Sequence, residues 1–121
     1  IELPYNDKAY KQTALHLLDN LYGRVGGIRM NGSAAAAICY VAAGRFEGWL
    51  EAFIGKWDYA AAALIVLEAG GEVTDFYGNK HFIEGHHIIA TNGSIPFYRV
   101  AFLVSLLFLQ KIHQLSDGGA F

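Results

Sequence analysis

The stretch that decides the fold is Trp57–Gly71, which reads WDYAAAALIVLEAGG and runs directly into Glu72-Val73-Thr74-Asp75. It opens with an acid, continues through small and apolar residues, and closes with two glycines before an apolar-rich segment. This order predicts a helix with Asp58 as its N-cap, followed by a short strand over Glu72–Phe76. The second oxygen of such a cap can face a cleft and hold a divalent cation. The alternative is that Asp58 only caps the helix.

The composition is that of a small, apolar domain. The 121 residues suit a single domain over 1–121. Hydrophobic residues make up 54%, charged residues 17%, and the mean hydropathy is +0.26, which excludes disorder and indicates surface covered by another domain or subunit. The formal net charge of −2 offers no basic surface, so we expect no nucleic-acid partner.

The sequence also indicates where the protein is located in the cell. Cys39 is the single cysteine, which excludes an intrachain disulfide framework and is compatible with a reducing cytoplasm. The longest apolar run, Val100–Leu109, is interrupted only by Ser105 and is about half the ~20 residues that a membrane span needs. The first residues do not resemble a signal peptide. We therefore expect a cytoplasmic protein without a membrane segment.

Two helices are expected ahead of the opening stretch. The first begins at Asn6 or Asp7, runs to about Tyr22 and is closed by Gly23. The second follows Gly32-Ser33-Ala34 and ends before a glycine at position 44.

The expected strands complete an α/β fold, a mainly parallel sheet flanked by helices. Arg24–Met30 predicts a short strand broken by two glycines, Phe46–Phe53 a strand that carries Glu51, and Ile88–Gly93 the last strand and its turn. Ligands in such folds bind at the carboxyl ends of strands, beside helix starts.

Two features beside Asp58 indicate a binding cleft. Free N–H groups at a helix start, with a glycine that allows close approach, can bind an anion or a hydroxyl-rich ligand, so Gly32 and Ser33 are candidate binding residues. The alternative is that Ser33 is only an N-cap. Glu51, seven residues before Asp58, can converge on the same cleft and accept hydrogen bonds from sugar or inositol hydroxyls. The alternative there is a solvated acid at a strand end.

Three histidines, at positions 81, 86 and 87, do not predict a zinc site. His86 and His87 are adjacent, so their side chains point to opposite sides of an extended segment. The chain offers no cysteine or third well-spaced ligand beside them.

The complete string resembles the C-terminal signature of the inositol monophosphatase family. The resemblance lies in Trp57-Asp58, the alanine run, Glu68-Ala69-Gly70-Gly71 and Thr74-Asp75, and extends over roughly residues 3–95, the C-terminal half of a family member. Family members are magnesium-dependent, lithium-sensitive phosphatases. The implied fold is therefore the C-terminal half of the inositol monophosphatase sugar-phosphatase fold.

The resemblance also implies roles for the candidate residues. Asp58 would bind Mg²⁺ and contribute to substrate binding, Glu51 would hold polyol hydroxyls, and the turn at Gly32, Ser33 and Ala34 would contact the substrate's ring hydroxyls. The implied partners are a phosphorylated polyol or sugar and, by the apolar composition, a second copy of the chain. Some bacterial family members also bind transcription machinery.

The motifs that supply most metal ligands in the family are absent from this sequence. Neither a Gly-Glu-Glu-like segment nor an Asp-Pro-Ile-Asp-Gly-Thr segment occurs, and the family places both in its N-terminal half. Two-metal phosphate hydrolysis needs several carboxylates around its cations. We therefore expect the chain alone to bind magnesium poorly and to hydrolyse almost nothing without the missing N-terminal half.

Two other functions stay open. One is a non-catalytic polyol-binding or interaction module. The other is a related phosphatase that acts on fructose 1,6-bisphosphate or 3′-phosphoadenosine phosphate. The segment 97–121 adds an unusually apolar expected helix and a tail unlike the family's, and an apolar helix of this kind must be buried against the domain or a partner.

Overall fold

The computed structural model describes residues 1–2, 8, 11–52 and 54–95. The predicted helix start at Asn6 or Asp7 and the predicted apolar helix of 97–121 lie outside the described residues. In chain order, the elements are α1 (Lys11–Leu21), α2 (Ala34–Ala42), β1 (Gly48–Ala52), α3 (Lys56–Glu68), β2 (Glu72–Thr74), a 3₁₀ helix (Phe82–Glu84) and β3 (His87–Thr91).

Local signals account for where α1 and α2 end and where α2 begins. Ser33 has an extended backbone and its Oγ accepts a hydrogen bond from the Ala36 amide at 3.3 Å, which caps α2 as predicted. Gly23 and Gly44 follow the two helices with φ of +76° and +72°, the left-handed conformation that glycine adopts readily.

The helix α3 begins earlier than predicted. Its N-cap is Gly55, so the prediction that Asp58 is the N-cap is wrong. The Asp58 amide already donates to the Gly55 carbonyl at 2.9 Å, which places Asp58 within the first turn. Its charge still lies at the positive end of the helix dipole. The helix closes at Gly70, with φ of +83°, as the paired glycines predict.

The α/β class is confirmed, but the neighbouring strands of the sheet are antiparallel. The strand order is β1-β3-β2, with Gly48 opposite Thr91 in one pair and Glu72 opposite Thr91 in the other. Because both outer strands are antiparallel to β3, β1 and β2 run in the same direction, as expected for strands joined through a helix. β3 lies between them, and that non-local insertion makes the prediction of mainly parallel pairing wrong for the described strands.

The predicted strand over Arg24–Met30 is also wrong, because this segment forms turns and irregular structure. Among the described residues, the outer edge of β1 instead carries an isolated parallel bridge between Glu2 and Glu51. Ile28 packs as a partly buried side chain against the core.

Apolar side chains cover both faces of the sheet. One face packs on α2 and α3, and its buried cluster includes Trp49, Ile88, Ile38, Tyr59 and Val66. The opposite face holds a smaller cluster around Leu50, Ile89 and Phe76, against which Leu17 and Leu21 of α1 pack. The buried alanines of α2 and α3 belong to the first cluster, as expected if small side chains let these helices approach closely: Ala34, Ala37, Ala62, Ala63.

A buried tyrosine joins α3 to the 3₁₀ helix. The Tyr59 hydroxyl lies 2.7 Å from the carbonyl oxygens of both Phe82 and Ile83, which share its one proton, and the residue is completely buried. Tyr59→Phe leaves two carbonyls without this donor and should lower the free energy of unfolding by about 1–2 kcal/mol. Urea denaturation measures the loss. Tyr22→Phe, at a tyrosine that is 86% exposed, is the control and should change little; equal effects would contradict the prediction.

Candidate active site

The turn before α2 is exposed and is tied to the first residues of the chain. Gly32 has φ of +71°, and its amide donates to the Glu2 carboxylate at 2.9 Å. Ser33, next in the chain, is exposed, whereas Ala34 is buried in the core cluster. The Ala34 side chain therefore packs beneath the turn, so Ala34 could meet a ligand only through its backbone, whereas Gly32 and Ser33 are exposed.

Glu51 lies on β1 and is half buried. Its carboxylate accepts a hydrogen bond from the indole N–H of Trp49 at 3.1 Å. Burial raises the pKa of the Glu51 carboxyl, the hydrogen bond from Trp49 opposes this rise, and the charges of Glu2 and Asp58 add to it.

Asp58 is exposed in the first turn of α3. It is therefore not buried beneath apolar side chains, and its carboxylate is available to a cation. β1 carries Glu51, and a connection of three residues leads from the end of that strand to the start of α3. This short connection keeps the start of α3, with Asp58, near the end of the strand that carries Glu51.

Sequence reasoning missed Glu2. This residue is the bridging partner of Glu51, its amide donates to the Leu50 carbonyl at 3.2 Å, and its carboxylate accepts from Gly32. Glu2 thus links the turn before α2 to the strand that carries Glu51. The available signal was an acid between the apolar residues Ile1 and Leu3, and that pattern does not reveal a partner thirty residues away.

Carboxylate oxygens are suitable ligands for Mg²⁺, but the described residues supply too few of them for a complete metal site. Mg²⁺ prefers oxygen ligands and is often held by one or two carboxylates, with waters completing its octahedron. Within the described part of the chain, however, no group of three or more His, Cys, Asp or Glu residues is arranged to hold a metal ion. Asp58 can therefore serve as one ligand, and a two-metal site would require further carboxylates.

The raised pKa of Glu51 predicts an effect of pH on stability. Because the folded chain holds this proton more tightly than the unfolded chain, Glu51 lowers the free energy of unfolding as pH rises from the ordinary glutamate pKa through the raised value. Glu51→Gln should therefore be more stable than the parent at about pH 7, and the difference should vanish below the ordinary glutamate pKa.

Thermal unfolding across this pH range measures the difference. Glu72→Gln is the matched control, because Glu72 is an exposed acid on β2. A Glu51→Gln chain less stable than the parent at neutral pH would show that the carboxylate stabilises the strand.

Comparison with known proteins shows which family the chain belongs to. The chain matches the inositol monophosphatase family over residues 4–105 and belongs to it. This is a phosphatase family.

Among individual proteins, the Nus factor SuhB of Pseudomonas aeruginosa is 46% identical over 78 residues, which are 64% of this chain and 29% of the relative. The Nus factor SuhB of Escherichia coli K12 is 39% identical over 89 residues, which are 74% of this chain and 33% of the relative. The chain thus spans about a third of the length of these curated relatives.

Solved structures agree on the fold. The extragenic suppressor protein SuhB of Bartonella henselae matches with a TM-score of 0.71 and 41% identity, over 77% of this chain and 39% of its own. An IMPase of Thermotoga maritima matches with a TM-score of 0.76 and 34% identity, over 84% and 40%. Among the residues that the structure describes, no helix combines the length and apolar character needed to cross a bilayer.

Proposed function

We propose that this chain is the C-terminal part of a magnesium-dependent phosphatase that hydrolyses a phosphate monoester of inositol or of a related sugar. The observation that carries the proposal is the placement of two acids on neighbouring elements: Glu51 lies on β1, and Asp58 is exposed in the first turn of α3, which follows that strand after three residues. Family membership supports the same reaction class. Fructose 1,6-bisphosphate and 3′-phosphoadenosine phosphate are the alternative substrates within this class.

Each residue would have a distinct role. Asp58 would hold Mg²⁺, and Glu51 would accept hydrogen bonds from substrate hydroxyls. The turn at Gly32, Ser33 and Ala34 would orient the polyol. When bound, the cation supplies activation of water and stabilisation of the leaving oxygen. Lithium inhibition and a cytoplasmic location also belong to the proposal.

The test of this proposal adds the N-terminal part of a family member, which this chain lacks. We would mix the chain with the corresponding N-terminal part of the Pseudomonas aeruginosa relative and measure phosphate release from inositol monophosphate with Mg²⁺. The mixture should be active and each part alone nearly inactive. Complex formation without phosphate release from any of the three substrates would contradict the proposed reaction.

A second candidate is a non-catalytic role, favoured by the names of the relatives. Several are named as Nus factors, and these names weigh against the prediction, drawn from net charge, that nucleic acid plays no part. Saturable binding of inositol without metal, or binding of RNA by the mixture in the absence of hydrolysis, would support this role. Size-exclusion chromatography tests the proposed homodimer separately.

A further inference from the structure

The chain segment that joins β1 to α3, between Glu51 and Asp58, is hydrogen-bonded to the residue that precedes β3. This connection joins the end of β1, at Ala52, to the start of α3, and Ile54 is buried within it. The Ile54 amide donates to the His86 carbonyl at 3.0 Å. The backbone at His86 therefore helps to place both acids.

His86 adopts an unusual backbone conformation. Its φ of +57° is the one positive value at a non-glycine position among the described residues. A histidine enters this left-handed region less readily than glycine does. Contacts of the surrounding chain must therefore hold the conformation that directs the His86 carbonyl to Ile54.

The next residue supplies such contacts. His87 lies opposite Ala52 in the β1–β3 pair, and its Nδ1 accepts a hydrogen bond from the Phe76 amide at 2.9 Å. The imidazole stacks on the Phe76 ring, with centroids 4.7 Å apart, and meets the edge of the Tyr77 ring at 5.5 Å. His87 thus ties the start of β3 to the loop that follows β2.

We propose that His87 is a positioning residue, which holds the β1–α3 connection, and with it Glu51 relative to Asp58, only while its Nδ1 carries no proton. An imidazolium has no acceptor nitrogen, so protonation removes the bond to Phe76. The ring must then move, and His86 loses the neighbour that keeps its carbonyl directed at Ile54. The significance of the two acids rests on the proposed function, whereas the coupling of His87 to Ile54 does not.

The groups around the imidazole determine the pH at which His87 becomes protonated. Burial lowers the pKa of His87, the charge of Asp75 opposes that decrease, His86 adds to it, and a hydrogen bond with the residue's own backbone opposes it. The Tyr77 ring, a further titratable group, lies against the imidazole. The Asp75 carboxylate is itself engaged, since it accepts hydrogen bonds from the Tyr77 amide and from the amide and side chain of Asn79. The change should therefore lie below the ordinary pKa of histidine, about 6.5.

Amide hydrogen exchange, followed by NMR, tests the coupling without any need for activity. Protection at Phe76 and Ile54, corrected for intrinsic exchange, should fall together by about tenfold or more between roughly pH 7 and pH 4.5. The Ala43 amide, which donates to Cys39 at the end of α2, is the internal control and should not follow. Constant protection at both test amides would overturn the proposal.

Two variants separate positioning from a merely local contact. His87→Asn offers an amide oxygen in place of Nδ1 and does not titrate, so protection at both amides should stay high at acid pH. His87→Phe keeps a ring without an acceptor, and protection should be low at both pH values. Loss of protection at Phe76 with Ile54 unchanged would confine His87 to its own loop and refute the coupling to the acids.

The ring nitrogens of the unaltered chain give an independent check that does not depend on a variant folding. Their ¹⁵N shifts should show an unprotonated Nδ1 at neutral pH, and a protonated Nδ1 would overturn the proposal. If exchange behaves as expected while the mixture with the N-terminal part releases no phosphate, the positioning inference stands and the proposed reaction fails.

Discussion

Replacing Asp58 with asparagine should lower phosphate release by the completed enzyme by more than about 100-fold, because loss of a metal ligand exceeds the 10–100-fold cost of removing a group behind one. Asparagine has nearly the same shape, but its neutral amide binds Mg²⁺ more weakly than a carboxylate does. The measurement is phosphate release from inositol monophosphate by the mixture of this chain and the N-terminal part of a relative, over a range of Mg²⁺ concentrations.

Stability should change far less than activity in this variant. Asp58 is exposed, and the lost interaction with the helix dipole amounts to about 0.3–1 kcal/mol. Glu68→Gln is the control, because Glu68 is an exposed acid at the other end of the same helix. That variant should retain activity. Full activity of Asp58→Asn at low Mg²⁺ would exclude Asp58 from the metal site.

The elements that the sequence predicts correctly depend on local chemistry. Ser33 caps α2 through its own hydroxyl, and the glycines after the helices adopt the left-handed conformation that ends them. These signals act within a few residues, so the sequence alone is sufficient to place them. The start of α3 differs because Gly55 caps it without a side chain, and Asp58 is a more conspicuous candidate.

Non-local contacts explain the remaining differences. The insertion of β3 between β1 and β2 cannot be read from the helix that separates those two strands, although their common direction can. Glu2 joins the candidate site through contacts with Gly32 and Glu51, which lie far along the chain. The roles of Glu51, Asp58 and the turn at Gly32, Ser33 and Ala34 stay predictions, since they concern ligands and not the fold.

The junction of α3 and β2 should tolerate no side chain at its second glycine. A Cβ at Gly71 would lie 2.4 Å from the Thr91 carbonyl oxygen, 2.7 Å from Val66 Cγ1 and 3.2 Å from the Val66 carbonyl oxygen. Two of these neighbours are backbone atoms, one in β3 and one in α3, so relief requires the helix and sheet to separate. Gly71→Ala should therefore lower the free energy of unfolding by about 3 kcal/mol, at the upper end of the usual cost of overpacking.

A substitution at the preceding glycine distinguishes the effect of this clash from the effect of backbone strain. Gly70 has φ of +83°, but a Cβ there would meet nothing within 4 Å, so Gly70→Ala should cost only the strain of a left-handed alanine, about 1–2 kcal/mol. Urea denaturation of both variants and the parent measures the two losses under identical conditions. If Gly70→Ala proved the more damaging, contact between α3 and β3 would not be what requires glycine at position 71. The order expected here would show that close packing of the C-terminal end of α3 against β3 requires glycine at position 71.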